Sequence, residues 1–372
     1  MKKGVKKLPV GLSSKEAILL YKKLAVVNKI VGKLDVTFKN SILNTTLISL
    51  LSYNESVQST RIEGTQVTFS EIMEIKEIAV KRSWQQQEVL NYKNAIDFGF
   101  NRISHGQPIS TRLIKELHEI LMKNARGTTS HGGQFRKIQN FIGPDNNIEN
   151  ASYIPVSAEK IDEYMTNLEF FINAENHNSF EEVGEFDEFI SYESDILLRI
   201  AVAHAQFESI HPFLDGNGRL GRILIALFAV KEQLVSVPLF FVSEELEKER
   251  IRYYNALNET RGDNPNWFNW LMFFLKASER MCNNIIGKIE RAESLARVGM
   301  KICKTSAQTD VWLETFQSPI VTASVVAKRL NIHQSTAKKA LDLLTEHHLL
   351  DKDSSVKRNV KYYNYDLLRV IQ

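Results

Sequence analysis

The sequence predicts a mainly α-helical protein, and three observations carry that reading. Over most of the 372 residues, apolar side chains recur at three- and four-residue spacing, the period of a helix with one buried face. One mid-chain stretch alternates apolar and polar instead, as a strand does. Residues 306–372 change pattern again, to short helices followed by strand-like runs. The expected architecture is a helical core with a β-hairpin flap, an N-terminal helical segment and a C-terminal winged helix-turn-helix.

Helices are expected over Ala17–Val31, Ile42–Val57, Ser70–Ser83, Glu88–Ile103, Thr111–Met122, Ala158–Asn173, Glu193–Ile210, Gly221–Gln233, Glu244–Asn258 and Trp267–Leu295. Ser110 and Ser157 stand where N-caps belong, and Glu71 after Ser70 places an acid in a first turn. Gly132–Ile142 alternates, Gly143–Asn147 reads as a turn, and Ile148–Pro155 returns as a second strand. Near the end, Ala323–Leu330 and Ser335–His347 are two short helices joined through Asn331–Gln334. Lys352–Asn359, between Leu349-Leu350 and Val360–Tyr363, reads as the wing. The domains are therefore 1–105 (helical), 106–280 (core), 281–305 (linker helix) and 306–372 (winged helix).

The chain is 43% hydrophobic and 24% charged, an ordinary globular balance, and 47 basic against 44 acidic residues leave a net charge of +3. So small an excess gives no general attraction to nucleic acid or membrane, and any basic surface must be local. The only cysteines, Cys282 and Cys303, lack the spacing of a disulfide framework or zinc site. The basic start, Met1–Lys7, is followed by no cleavable apolar core, and Ile223–Val230 is too short to span a bilayer. The expected location is the cytoplasm.

The chemistry concentrates in His211-Pro-Phe-Leu-Asp215-Gly-Asn217-Gly-Arg219-Leu-Gly-Arg222. Pro212 ends one helix, and Asp215–Gly218 forms a loop tolerant of positive φ before the next. Such a loop presents backbone N–H groups at a helix N-terminus, a ready anion site. Arg219 and Arg222, three residues apart, suit a polyphosphate. Asp215 beside phosphate calls for an intervening cation, Mg²⁺. His211 at the lip of the loop has the chemistry of a general base.

Position for position, this run resembles the signature of the Fic family, HPFx(D/E)GN(G/K)RxxR. Ser59-Thr-Arg-Ile-Glu63-Gly64 resembles that family's (S/T)xxxE(G/N) inhibitory motif, placed N-terminal to the core as in its class II members. The likeness covers roughly residues 10–280, and the winged-helix tail recurs in the group. It implies a protein adenylyltransferase. His211 would take the proton of a target Ser, Thr or Tyr hydroxyl that attacks the α-phosphate of ATP, and Asp215 would hold Mg²⁺. Gly216, Asn217, Gly218 and Arg219 would cradle the α- and β-phosphates, Arg222 would meet the γ-phosphate, and Leu220 and Gly221 complete the phosphate-binding run. Phe213 would anchor the loop. Tyr253 and Tyr254, followed by Arg261-Gly262-Asp263, would lie near the adenine. The hairpin would be the flap that docks the target by strand addition, with Asn150, Ala151, Ser152 and Tyr153 approaching the nucleotide.

Glu63 would pair with Arg222, oriented by Ser59 one turn earlier, and so withhold the group that the γ-phosphate needs. Relatives imply that the same Glu can support removal of AMP. Self-modification and a homodimer are further expectations, and no membrane partner is expected. The alternative function is a DNA-binding regulator. Ser335, Thr336, Lys338 and Lys339 would meet phosphates, His333 or Gln334 a base edge, and Lys357, Arg358 and Lys361 would add charge in the wing. A dead catalytic core is argued against by the intact His211, Asp215, Asn217, Arg219 and Arg222.

Overall fold

The computed structural model describes residues 1–77, 82–124, 132–144, 147–180, 186–353, 355–356 and 359–372. β1 (Lys2–Lys3) and β2 (Val10–Leu12) precede α1 (Ser14–Asn40), α2 (Asn44–Ile62), α3 (Phe69–Glu77), α4 (Trp84–Ser104) and α5 (Thr111–Met122). β3 (Tyr153–Ile154), α6 (Ile161–Asn173), β4 (Glu188–Ile190), α7 (Ile196–Ile210), α8 (Asn217–Lys231), α9 (Ser243–Lys248), α10 (Arg250–Glu259) and α11 (Trp267–Ile302) complete the body. The C-terminal unit is α12 (Ser306–Gln317), β5 (Ile320–Thr322), α13 (Ala323–Leu330), α14 (Gln334–Glu346), β6 (Asp351–Lys352), β7 (Lys361–Tyr363) and α15 (Tyr365–Ile371). The protein is mainly helical, as the periodicity predicts.

The central pair is α7 and α8. Every residue from Leu197 to Ile210 is buried, and α8 is buried from Arg219 to Ala229, so both helices lie inside rather than on the surface. α4 and α5 cover α8, α6 covers α7, and the long α11 runs beside α1, α7, α9 and α10. α1 shows why the periodicity was readable. Ala17, Leu20, Leu24, Val27, Val31, Leu34 and Phe38 form one stripe, and Ser13 and Glu16 close a capping box at its start. α2 is different, because its buried positions include Ser52, Asn54, Glu55, Ser56, Gln58, Ser59 and Thr60. A helix so polar at its buried positions is there to hold something.

Several expectations are corrected in detail. The run Glu244–Asn258 is two helices, broken at Glu249. α3 starts at Phe69 rather than Ser70, because Thr68 is its cap: Thr68 Oγ1 accepts from Glu71 N–H (3.2 Å) and Glu71 Oε2 from Thr68 N–H (2.7 Å). Residues 78–81 of that expected helix lie outside the described residues. Ser157 makes no side-chain cap, and a 3-10 turn at Ala158–Lys160 precedes α6. The expected hairpin is closed by a single antiparallel bridge, Ile142–Tyr153, not by two regular strands. The reason is that β3 pairs in parallel with β1 at the N-terminus, Lys2 with Tyr153 and Lys3 with Ile154, a pairing between distant segments that no local pattern announces. Asp145 and Asn146 of its turn lie outside the described residues.

The span read as a linker helix is the second half of α11. It carries the C-terminal unit, where β5, β7 and β6 form an antiparallel sheet in that order and Asn331 (φ +52°) turns the chain between α13 and α14. Lys357 and Arg358 lie outside the described residues. Both cysteines are free, and among the described residues no helix is long and apolar enough to cross a membrane.

Candidate active site

α7 ends at His211, whose N–H donates to Phe207 O (3.0 Å) and whose φ is +50°. Arg136 fixes this end from across the cleft, donating to His211 O (2.9 Å), Val156 O (2.5 Å) and Ile138 O (3.0 Å). The loop that follows is held from inside by Asn217. Its Oδ1 accepts from Phe213 N–H (2.9 Å) and its Nδ2 donates to Phe213 O (2.8 Å). Phe213 is fully buried and stacks on His118, with ring centroids 3.7 Å apart.

His118 is a site residue that the sequence reading missed. Its Nδ1 accepts from Gly133 N–H (2.9 Å), so Nε2 carries the proton and donates to Asp215 O (3.0 Å). Burial pushes its pKa down to about 4, which keeps this tautomer neutral. The available signal was a His on the buried face of α5, between Ile114 and Leu121. Gly216 turns the chain into α8 at φ +79°, and a Cβ there would lie 2.7 Å from Met122 Sδ.

The N–H groups of Asn217, Gly218 and Arg219 precede the first intrahelical bond, Leu220 N–H to Gly216 O (3.0 Å), and no side chain caps them. They form the donor end of a helix whose dipole favours an anion. In front of them is a cavity of about 440 Å³ lined by His211, Gly218, Arg222, Glu208, Tyr253 and Tyr254 among others. His211 Nδ1 donates to Glu208 O (3.4 Å), which leaves Nε2 bare. Burial, then the cations Arg261 and Arg136, push the His211 pKa down to about 3. The imidazole is thus an unprotonated base at neutral pH.

Arg222 crosses from α8 to α2. Its Nε donates to Ser59 Oγ (2.8 Å), and Nη2 to Ser59 O (3.0 Å) and Glu63 Oε1 (2.6 Å). Burial works against its charge, but Glu63 and then Tyr253 raise its pKa above the ordinary arginine value. Glu63 is the C-cap residue of α2, and its side chain is 36% exposed against 1% for Arg222. The carboxylate therefore closes on the guanidinium from the cavity side. A Cβ at Gly218 would overlap Glu63 Oε1, so the glycine is what lets the two helices meet.

The expected phosphate ligands separate into two groups. Gly218 and Arg222 face the cavity, with Gly216 and Asn217 shaping the turn beneath it. Arg219 is not among the residues that line it. It is 4% exposed, paired with Glu88 (3.2 Å) and Asp215 (3.3 Å). Three residues along a helix leave two side chains on neighbouring but distinct bearings, and the acid on α4 claims this one. Leu220 is fully buried in the core, and Gly221 packs inside against α7.

On the flap, Ser152 lines the cavity, while Tyr153 lies beneath it with its hydroxyl on Ser209 O (2.7 Å). Asn150 and Ala151 sit at the end of the 3-10 turn before β3, outside the cavity lining. Tyr253 is buried with its hydroxyl on His204 Nε2 (2.9 Å), and Tyr254, 43% exposed, forms the rim.

Asp215 is the one expected metal ligand. Its side chain is 57% exposed, and among the described residues no group of three or more His, Cys, Asp or Glu could hold a metal. This single carboxylate, solvent-facing and with Oδ1 on Gly216 N–H and Arg219, could give one oxygen to a Mg²⁺ that takes its others from phosphate and water, and does not fit a resident metal centre.

Residues 108–229 match the model of the Fic/DOC family, and residues 21–101 that of the Fic/DOC family N-terminal region. Protein adenylyltransferase Fic of Drosophila grimshawi is 24% identical over 203 residues, 54% of this chain and 36% of that protein. The chain thus spans about a third of the length of such curated relatives. A probable protein adenylyltransferase of Aquifex aeolicus is 38% identical over 65 residues, 18% of each chain. The crystal structure of a Fic family protein from Desulfovibrio desulfuricans superposes with a TM-score of 0.56 at 18% identity, covering 93% of this chain and 95% of that one. Fic-1 of C. elegans does so at 0.54 and 22%, covering 74% of each. These two share the fold.

Proposed function

The chain belongs to the Fic/DOC family, and from that premise we propose that it transfers AMP from ATP to a Ser, Thr or Tyr hydroxyl of a protein. The observation that carries the reading is the bare Nε2 of His211 at the lip of a cavity that also holds Arg222 and the open N-terminus of α8. The target hydroxyl oxygen attacks the α-phosphorus of ATP and its proton passes to His211 Nε2. The bond to the bridging oxygen breaks, and pyrophosphate leaves. The N–H groups of α8 and the Arg222 guanidinium meet the charge on the phosphate chain. Asp215 would hold Mg²⁺, which supplies charge neutralisation along the same chain. The relatives named protein adenylyltransferase support this reading.

In this reading Glu63 is a brake. Arg222 is spent on Glu63 and Ser59, so the terminal phosphate lacks its cation and ATP does not settle productively. Glu63→Gly is expected to raise transfer of label from α-labelled ATP to protein, itself included, by at least an order of magnitude. His211→Ala in that background is expected to abolish transfer and keep ATP binding. A Glu63→Gly protein that binds ATP, is offered hydroxyl-bearing protein and transfers no label would overturn the brake.

The C-terminal unit has the element order of a winged helix, and we read it as one. His333, Gln334, Ser335 and Thr336 are exposed at the start of α14, which favours a second, compatible role in binding duplex DNA. Lys338 and Lys352, however, are paired with Asp342 (2.5 and 2.7 Å), which leaves Lys339 as the exposed cation on that helix without an acidic partner among the described residues.

A further inference from the structure

One buried carboxyl in the cavity wall has no part in the reaction above. Glu208 lies one turn before His211 on α7 and is 6% exposed. Among the described residues its Oε1 is buried with no hydrogen-bond partner, and so is Nη1 of Arg222 in the same wall. α2 occupies Nε and Nη2 of that guanidinium and leaves Nη1 toward the α8 N-terminus, 3.0 Å from where a Gly218 Cβ would stand. Glu208 approaches α8 more closely still: a Cβ on Gly221 would lie 2.5 Å from its Oε1. A buried acid and a buried cation, each with an unused polar atom, therefore line one cavity.

An ionised carboxylate in that position competes with phosphate, because it attracts Arg222 and repels the anion. The neutral acid does neither, and its O–H can donate to a phosphate oxygen. We propose that Glu208 is a second gate on the phosphate seat of Arg222, set behind Glu63 and opened by a proton rather than by a rotation. The proposal rests on the transfer reading only for the identity of the anion, the polyphosphate of a nucleotide.

The groups that face Glu208 are Arg222 from α8, Glu63 from α2, Tyr253 and Tyr254 from α10, Arg261 beyond it, and His204 and His211 on α7 itself. Burial pushes Glu208 up to about 7, with Arg222 opposing, Glu63 adding and Arg261 opposing. His204 and His211 are both held near 3 by burial and stay neutral through the same range. Glu55 of α2 is also pushed up to about 7 by burial and also feels Arg222. The part of a pH dependence between about 6 and 8 that belongs to Glu208 is therefore the part that Glu208→Gln removes. Below its pKa the seat accepts phosphate. Above it each further pH unit costs up to about tenfold in affinity.

The test uses the full chain carrying Glu63→Gly, so that the first gate is absent. ATP binding with excess Mg²⁺ is measured by calorimetry, and KM and kcat by label transfer, from about pH 6 to about pH 8. The expected result is a KM and dissociation constant for ATP that rise about tenfold over this range while kcat changes little. Adding Glu208→Gln, which keeps a donor and cannot ionise, is expected to flatten both to within about twofold. A flat binding profile in Glu63→Gly alone overturns the proposal, whether or not the second variant folds. An equal slope with and without Glu208→Gln overturns it too. Failure of the transfer reading looks different: pH-dependent ATP binding that Glu208→Gln flattens, with no AMP reaching protein at any pH.

Discussion

Ser59 shares the hold on Arg222 with Glu63 and does so from a buried position, through Oγ on Nε and its backbone carbonyl on Nη2. Losing Oγ removes one charge-assisted hydrogen bond, about 1.5–3 kcal/mol. Part of that returns as Glu63 and the remaining carbonyl readjust. Ser59→Ala is therefore expected to raise label transfer a few-fold, well below Glu63→Gly, with unchanged dependence on His211. A rise equal to that of Glu63→Gly would mean that Ser59, not the carboxylate, sets the brake. At this scale the sequence was informative where a motif was contiguous. His211 and Gly218 and the Glu63–Arg222 pair stand where the run and its upstream companion pointed. It was silent on residues whose role is purely spatial. Arg136 reaches the last carbonyls of α7 from a segment remote in sequence. Glu88 takes Arg219 out of the cavity from α4. Neither has a neighbour in the chain to mark it.

At the level of elements, the turn between α7 and α8 is rigid because three separate elements hold it: His118 from α5, Arg136 from the flap side and Asn217 from within. Gly216 is where this arrangement has no slack, since its positive φ and the contact with Met122 Sδ both refuse a side chain. Gly216→Ala is expected to cost about 1–2 kcal/mol from the left-handed backbone alone, with overpacking against Met122 added. The expected outcome is a lower thermal midpoint together with weaker dependence on Mg²⁺, because Asp215 precedes the strained residue. An unchanged midpoint would show that the turn relaxes. Elements were legible where one face was buried. α1 and α5 are striped, and Thr111–Met122 matched residue for residue. The break at Glu249 and the β1–β3 pairing were not legible. The first is a change of direction within one apolar period, and the second joins residues more than a hundred positions apart.

For the whole molecule, the question is whether the C-terminal unit is an appendage or part of one body. α12 and α15 pack on α2 and α11, and β5 on α3. Lys288 of α11, 3% exposed, is held by Glu244 (2.7 Å) and by Ile371 O at the end of α15 (2.7 Å). Gln372 reaches Ser70 Oγ (2.8 Å). The joint depends on Gly299, where the ring of Trp312 lies against α11 with its Nε1 donating to Ala296 O (2.8 Å). A Cβ on Gly299 would overlap that ring. Gly299→Val must therefore push α12 off α11, at the ~1–3 kcal/mol typical of overpacking, and the load falls first on the joint. Unfolding of the parent is expected as one cooperative calorimetric transition, and of the variant as two. Protease is expected to cut the variant between α11 and α12. Glu63→Gly activity should persist in the double variant, since neither His211 nor Arg222 is touched. A single transition in the variant, with the parent's midpoint, would show that the interface does not rest on Trp312. A loss of transfer would show instead that the C-terminal unit supports α2, and through it the seat of Arg222.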